Sequence, residues 1–318
     1  EFWGKEIRMK IAYIDDFKLA VISDQGVIDI SPLVSELGIL PAQQTINRVI
    51  EQWATYQPRI EEFLLSATPR PLADVKLQAP LPKPVAIVCM AVNYMENGLI
   101  KEKPPAQAFF KNSHSVIGQG ASMQLPDVPA TVFEGEAEVA LVISKKATRV
   151  PVDAASEYIF GYLNFVDGSA RGLASGMGLS YFMKGQDDFA PLGPWITTAD
   201  EISDPMNLHV QQWNNGRLTH DYNTSDMAHN IAESLAFVTS NTTLEAGDII
   251  ALGTNHQGLH PLQDGDVVEQ ETQELGRLTF KVSDQFKRTW PRQTRAEWRQ
   301  SGNKGGHAGQ LSGRYAAS

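Results

Sequence analysis

Several features are scarce in this 318-residue sequence, and each scarcity excludes a class of protein. There is one cysteine, Cys89, so the chain cannot form an intramolecular disulfide. Positive charge is in deficit, with 27 Lys and Arg against 37 Asp and Glu, and a net charge of -10 argues against a nucleic-acid binder. No apolar run is long enough to cross a membrane, and we find no secretion signal. We therefore expect a cytoplasmic protein.

The beginning of the chain predicts a small α+β domain over residues 9–76. We leave residues 1–8 out of the fold, because Met9 is the more natural start. Apolar and polar residues alternate over 9–30 around two turn signals, which predicts an antiparallel meander. Helical spacing follows over 41–65, and Pro58 is expected to break it into two helices. A proline-rich stretch then predicts a linker.

A larger domain is predicted over residues 77–286, followed by a polar tail over 287–318. Two helices are expected, at 152–158 and 227–240. Because the strands do not alternate regularly with helices, a mixed β-barrel or β-roll is favoured over a doubly wound sheet, and the fold class is α+β, mainly β. The tail is rich in Gly and Ser and is expected to be flexible or to pack on a neighbour. The predicted strands are 85–92, 108–111, 136–144, 159–167, 208–213, 248–253, 266–271 and 277–282.

The segment "FEGEAEVALVI", residues 133–143, combines a strand pattern with a row of acids. Glu134, Glu136 and Glu138 alternate, so on a strand they point to one face. Like charges on one face repel each other, and burying them unpaired costs several kcal/mol each. The strand therefore needs a cation, unless its charged face is open to solvent.

A further acid, on the next predicted strand, favours a bound cation over a solvent-exposed strand face. The strand in "FGYLNFVDGSARG" is predicted to end on Asp167. Carboxylates are the ligands that a hard divalent cation such as Mg²⁺ prefers, whereas no cluster of Cys and His indicates zinc. The residues alone leave both a metal site and a solvated strand face open.

Three further fragments carry polar groups at the ends of predicted elements. Lys184 lies in "FMKGQDDFAPLGPWI", Lys111 in "AFFKNSHSVIGQG", and Thr254 in "ALGTNHQG". In chain order, these pieces resemble the fumarylacetoacetate hydrolase family. The matching motifs cover about residues 85–282 and are "VNYMENG", "FFKNSHSVIG", "EAEVALVI", "GYLNFVDGSAR", "MKGQDDFAPLGPW", "TLEAGDIIALGTN" and "LQDGDVVEQETQELGRL".

The resemblance implies a mixed β-roll catalytic domain, a homodimer, and a site for Mg²⁺ or Mn²⁺. The metal ligands it implies are Glu136, Glu138 and Asp167, while Glu134 falls outside the matched pair. Lys184 corresponds to the family lysine near the reacting carbonyl. The implied substrate-binding residues are Tyr94, Arg171 and Thr254.

The activity implied by the resemblance is a Mg²⁺-dependent hydrolysis of a C–C bond. The substrate would be an acylpyruvate-like 1,3-dicarbonyl or another 2-oxo acid, and cleavage would proceed through a metal-stabilised enolate. Because relatives use the same enolate for other reactions, a lyase or isomerase acting on 2-oxo acids is the alternative. A metal-binding pseudoenzyme is a third interpretation. Nucleic acids and membranes are not expected partners.

The sequence departs from the family pattern in two places. Hydrolytic relatives carry a His and a Glu in the lid motif after "NY", where this chain has Asn97 and Ile100. Segment 95–107 still predicts a mobile lid. The segment "GLASGMG" after Arg171 is small and apolar, which suggests a bulkier or less polar substrate. The residues that could replace the missing base are His256, which we favour, and Glu96, Glu102 and His114; alternatively, the reaction needs no such pair to activate water.

Overall fold

The computed structural model describes residues 9–174, 177 and 180–316, and its strands form two mixed sheets. The larger sheet has eleven strands with the main order β3-β2-β1-β11-β10-β9-β14-β5-β6, and the smaller has the order β13-β12-β15-β16-β8. The α+β, mainly β class predicted from the sequence is confirmed. The strands are β1 Lys10–Ile14, β2 Lys18–Ser23, β3 Gly26–Asp29, β4 Leu77–Gln78, β5 Ile87–Ala91, β6 Gln107–Lys111, β7 Val116–Ile117, β8 Ser122–Gln124, β9 Val132–Ile143, β10 Ile159–Arg171, β11 Ala190–Thr198, β12 His209–Asn214, β13 Arg217–Asn223, β14 Ile249–Ala251, β15 Val267–Thr272 and β16 Gly276–Ser283.

The N-terminal meander extends the large sheet. Strand β1 pairs with β2 on one side and with β11 on the other, where Lys10 lies opposite Thr197. The short β4, from the predicted linker, also pairs with β1. The meander and the following strands therefore belong to one hydrogen-bonded sheet. The domain boundary at residue 76 stays a prediction.

The described α-helices are short, and none is long and apolar enough to cross a membrane. The prediction that Pro58 separates two helices is wrong, because the break lies at Gln52 and Pro58 lies inside α2. A proline removes one helical hydrogen bond, and here the buried side chains of Tyr56 and Ile60 hold the turn against the core. The helices are α1 Ala42–Glu51, α2 Trp53–Leu64, α3 Ser180–Lys184, α4 Ile231–Asn241 and α5 Arg295–Gln300.

Strands β9 and β10 form the centre of the large sheet. All twelve residues of β9 are buried, and it pairs with β10 without a break from Gly161 to Arg171. The prediction that β10 ends on Asp167 is wrong, because this antiparallel pairing continues for four more residues. Asp167 lies directly opposite Glu136, so the two carboxylates share a face and lie close together.

Other local predictions differ from the structure in length or type. Residues Val152–Tyr158 form a 3₁₀-helix, and α4 begins at Ile231 because Asn230 and Glu233 form a capping box there. Five strands are missing from the sequence prediction: the short β4, β7 and β8, and the longer β11 and β13. Strand β11 contains the Gly193-Pro194 pair.

The polar tail packs against its own chain rather than extending away from it. Arg288 is fully buried and bonds both carboxylate oxygens of Asp284 at 2.9 and 3.0 Å. The indole of Trp290 is also buried, donates a hydrogen bond to the Thr131 carbonyl at 2.7 Å, and meets the Phe133 ring edge-on. These contacts hold the start of the tail beside β9.

Candidate functional site

Three carboxylates from β9 and β10 converge to form the centre of the site. One oxygen from each of Glu136, Glu138 and Asp167 lies within 4.8 Å of the others, and all three residues are buried. Glu136 and Glu138 share a face because they are two residues apart on one strand, and pairing places Asp167 opposite them. The predicted ligand set is therefore assembled in space.

Two buried lysines neutralise part of this charge. The Lys184 ammonium contacts the Glu136 Oε1 at 2.7 Å and also Asp167. The Lys111 ammonium lies 2.6 Å from the Asp167 Oδ1. Burial tends to lower the pKa of Lys184, but Asp167 and Glu136 outweigh it and raise that pKa above its ordinary value.

Lys111 is a site residue that sequence reasoning did not assign. Besides Asp167, its ammonium donates to the carbonyl oxygens of Lys184 and Gly168, at 2.6 and 3.2 Å. It therefore ties β6, β10 and α3 together. The sequence feature that could have indicated this role is the position of Lys111 at the end of an apolar strand. A lysine is buried there only when acidic or other hydrogen-bonding groups pair with it.

Glu138 differs from its two neighbours because, among the residues that the structure describes, no lysine or arginine forms an ion pair with it. Its Oε2 accepts one hydrogen bond from the Gly253 amide at 2.7 Å, and its Oε1 is buried without a hydrogen-bond partner among the described residues. Burial, followed by the charges of Asp167 and Glu136, raises its pKa well above the ordinary value. An oxygen in this position fits a divalent cation shared by the three carboxylates.

Glu134, at the other end of the acidic row, is paired with two arginines. Its Oε1 accepts from the Arg295 Nε at 2.9 Å, and its Oε2 accepts from the Arg171 Nε at 3.1 Å. Burial opposes ionisation, but Arg295 and Arg171 lower the pKa of Glu134. Arg171 also contacts Glu136. Arg295, which lies in the polar tail, was not predicted as a site residue.

Two of the candidate bases meet in space. The His256 Nδ1 lies 2.6 Å from the Glu96 Oε1, and the His256 amide donates to the same carboxylate at 3.0 Å. Burial tends to raise the pKa of Glu96, yet hydrogen bonds and charge from His256 lower it. Glu96 is thus held as an anion beside the imidazole. The other two candidates, Glu102 and His114, are exposed.

A cleft with a volume of about 400 Å³ opens beside the Glu96–His256 pair. The tail forms one of its walls through Arg295, which also contacts Glu134. The predicted lid begins here, where the Asn97 amide donates to the Asp226 carboxylate at 3.0 Å. Its mobility stays a prediction. The cleft is lined by Glu96, Leu99, Ile100, His256, Gln257, Arg295, Arg299, Gly305 and Gly306.

The remaining predicted substrate-binding residues lie around the carboxylates. Tyr94 is fully buried, with its ring 5.0 Å from that of Tyr222. Thr254 is buried next to Gly253, whose amide binds Glu138. Their contacts with substrate stay predictions. Of the apolar segment after Arg171, residues 175, 176, 178 and 179 lie outside the described part of the chain.

Comparison with known proteins places this geometry in a family. Residues 86–283 match the model of the fumarylacetoacetate (FAA) hydrolase C-terminal domain. A maleylpyruvate hydrolase from Aquipseudomonas alcaligenes is 29% identical over 293 residues, which are 86% of this chain and 99% of that protein. An oxaloacetate tautomerase from Bacillus subtilis is 32% identical over 251 residues, which are 74% of this chain and 81% of that protein.

A solved structure gives the same result. The maleylpyruvate hydrolase from Sphingobium sp. SYK-6, in complex with a manganese(II) ion and pyruvate, superposes with a TM-score of 0.78 at 31% identity. The match covers 87% of this chain and 99% of that protein. The relatives with named activities are enzymes that act on small molecules. From the match over residues 86–283 and from these relatives, the chain belongs to the fumarylacetoacetate hydrolase family.

Proposed function

We propose that the protein is a divalent-metal-dependent hydrolase that cleaves a C–C bond in an acylpyruvate-like 1,3-dicarbonyl or 2-oxo acid. The observation that carries the proposal is the buried Glu138 Oε1, which has no hydrogen-bond partner in the described part of the chain and lies next to Glu136 and Asp167. Similarity to maleylpyruvate hydrolases over nearly their whole length supports the substrate class.

Glu136, Glu138 and Asp167 would hold the cation, which is Mg²⁺ or Mn²⁺. When bound, such a cation acts as a Lewis acid on the oxygens of an oxo acid. Lys184 is a permanent positive charge at the same carboxylates and can donate a hydrogen bond to an oxyanion that develops on the substrate.

Glu96 and His256 supply the base that the lid motif lacks. With its Nδ1 facing the Glu96 carboxylate, His256 keeps its Nε2 for a proton taken from water. Glu96 fixes the ring orientation and stabilises the imidazolium that results. His256 then returns the proton to the carbon that leaves. In this chain, the acid and the imidazole would come from the predicted lid and from the loop after β14.

The first test follows the ultraviolet absorbance of the diketone in a panel of acylpyruvates, with enzyme and Mg²⁺ or Mn²⁺. We expect the diketone band to disappear and excess EDTA to prevent the loss. Mass spectrometry of the products must show two acids that together contain one added water. If no member of the panel is consumed, the proposal is wrong.

The tautomerase alternative has its own outcome in the same experiment. The similarity to an oxaloacetate tautomerase favours it, and the Glu96–His256 pair could also move a proton between carbon and oxygen. Tautomerisation conserves the mass of the substrate. A change in oxaloacetate absorbance without any change in mass, together with intact acylpyruvates, would replace the hydrolase proposal with this one.

A variant tests the role of the base separately. His256→Asn should lower kcat by about 10²–10⁴-fold because general-base catalysis contributes that much. Calorimetric titration should give an unchanged affinity for Mn²⁺, since His256 is not among the proposed ligands. His114→Asn, which changes an exposed histidine, is the matched control. An unchanged kcat in His256→Asn would remove His256 from the mechanism.

A further inference from the structure

One wall of the cleft is formed by the tail of the chain. The tail lies outside the residues that match the family model. That match ends at residue 283, whereas α5 spans Arg295–Gln300. Two arginines of α5, Arg295 and Arg299, line the cleft together with Glu96 and His256. The tail therefore adds positive charge next to the proposed base, and the family model does not account for it.

The two arginines differ in whether a carboxylate neutralises them. Arg295 is bonded to the buried Glu134. Arg299 contacts a neutral group, since its Nη2 donates to the Gln257 Oε1 at 2.6 Å, and no described carboxylate forms an ion pair with it. Glu297, the acid on the same helix, is instead paired with Arg217. The Arg299 Nε donates to the Arg295 carbonyl at 3.3 Å, so the described partners of Arg299 are neutral and its charge can still bind an anion.

Hydrogen bonds connect Arg299 to the Glu96–His256 pair. Gln257 accepts from Arg299 and donates through its Nε2 to the Glu96 Oε2 at 2.9 Å. Glu96 in turn contacts the His256 Nδ1. A ligand that reaches His256 therefore has the Arg299 guanidinium further along the same wall.

The rest of the cleft lining leaves space for such a ligand. Gly305 and Gly306 are part of it and carry no side chains. A Cβ atom at Gly306 would lie 3.7 Å from the Arg295 Cζ, in ordinary van der Waals contact, so this glycine lies next to the arginine. Leu99 and Ile100 supply apolar surface for a carbon chain. The lining thus combines an apolar path with a cation.

We propose that Arg299 binds a carboxylate at the far end of the substrate, and that the enzyme consequently prefers dicarboxylic oxo acids to monocarboxylic ones. This inference rests on the proposed function and names the substrate class within it. A guanidinium binds a carboxylate through two parallel hydrogen bonds, which a lysine cannot reproduce. Arg299 is a specificity residue, and it lies outside the proposed chemistry at the carboxylates.

The kinetic test compares two acylpyruvates of equal chain length, with and without a terminal carboxylate. Arg299→Gln should lower kcat/KM for the dicarboxylic substrate by about tenfold, as expected for loss of one charge-assisted contact at a partly exposed site. For the monocarboxylic substrate, kcat/KM should change less than about twofold. Arg48→Gln removes a surface arginine of α1 and is the control. Equal losses on both substrates, or no loss, would overturn the inference.

If neither acylpyruvate is consumed, the proposed function is wrong. A binding measurement then still tests the inference about Arg299. The probes are 2-oxopentanedioate and 2-oxopentanoate, which have equal chain length, added to the Mn²⁺-loaded protein. The fluorescence of Trp298, in the same helix as Arg299, provides a signal. Arg299→Gln should raise the Kd of the dicarboxylate about tenfold and leave that of the monocarboxylate unchanged. Equal affinities in the wild type, or no binding of the dicarboxylate, would overturn the proposal.

Discussion

Glu134 and Glu138 lie on the same face of the same buried strand, four residues apart, yet their surroundings are opposite. Two arginines bind Glu134 and lower its pKa. Glu138 has a single backbone donor, one oxygen without a partner among the described residues, and a raised pKa. A buried carboxylate such as Glu134 is neutralised by side chains of the protein itself. A buried carboxylate such as Glu138 needs a bound ligand to neutralise it when it is ionised.

The comparison explains why one acidic strand can serve two purposes. A buried charge costs several kcal/mol unless it is paired, so every acid in the row that is ionised requires a cation. At Glu134 the cations are fixed side chains, one of them supplied by the tail. At Glu138 the protein leaves the position open. The partners of each glutamate therefore separate the stabilising end of the strand from the proposed metal-binding end.

The largest expected effect is the loss of metal binding in Glu138→Gln. Removing a ligand should weaken Mn²⁺ binding at least about 100-fold, more than the loss of an outer hydrogen bond typically costs. Without metal, the free energy of unfolding should change by less than about 1 kcal/mol, because a glutamine resembles the neutral carboxyl that a raised pKa favours. Calorimetric titration and urea unfolding measure the two quantities. Unchanged Mn²⁺ affinity would mean that Glu138 is not a ligand.

Glu134→Gln should show the opposite pattern. Arg171 and Arg295 would lose their shared carboxylate, and breaking such a buried pair typically costs about 3–5 kcal/mol of stability. Mn²⁺ affinity should fall by less than about tenfold, since Glu134 is not a proposed ligand. Urea unfolding and calorimetric titration are carried out on both variants, so that each variant is the control for the other. A stability equal to that of the wild type would contradict the structural role.

A smaller effect concerns groups that burial keeps neutral. Burial lowers the pKa of His220 from 6.5 to about 3 and that of His260 to about 4. The unfolded chain binds protons at these histidines below pH 6.5 while the folded protein does not, so stability falls as the pH falls from 6.5 towards these lower values. Each histidine should cost about 2 kcal/mol between about pH 7 and pH 5.

Urea unfolding at several pH values tests this expectation. The variant His220→Gln should lose less stability on acidification than the wild type, by about 2 kcal/mol over that range. His114→Gln, at an exposed position, should follow the wild-type curve. If the His220→Gln curve also follows the wild type, then His220 is not held neutral in the folded protein.

Motifs and side-chain alternation were enough to predict part of the site. The spacing of Glu136 and Glu138 requires a shared face on any strand, and the family motifs pointed to Asp167 and Lys184. Glu96 and His256 were named as separate candidates, but their contact joins positions 160 residues apart. Proximity over such a distance depends on how the loop after β14 packs, which no local pattern encodes.

The tail illustrates what sequence patterns could not predict. Its Gly and Ser content is typical of a flexible segment, yet Arg288 and Trp290 are buried and Arg295 reaches Glu134. A few buried residues hold the tail in place despite its average composition, because one buried aromatic side chain or one buried ion pair restrains the residues around it. Lys111 was similarly overlooked, since its partners lie on β10 and α3.

The sequence by itself determined the fold class, the family, and the row of carboxylates on one strand, because alternation and ordered motifs are local properties of the chain. Only the tertiary structure decided which cation meets which carboxylate, for electrostatic pairing depends on distances between segments far apart in sequence. It thereby distinguished Glu134, which two arginines hold, from Glu138, whose Oε1 has no hydrogen-bond partner among the described residues.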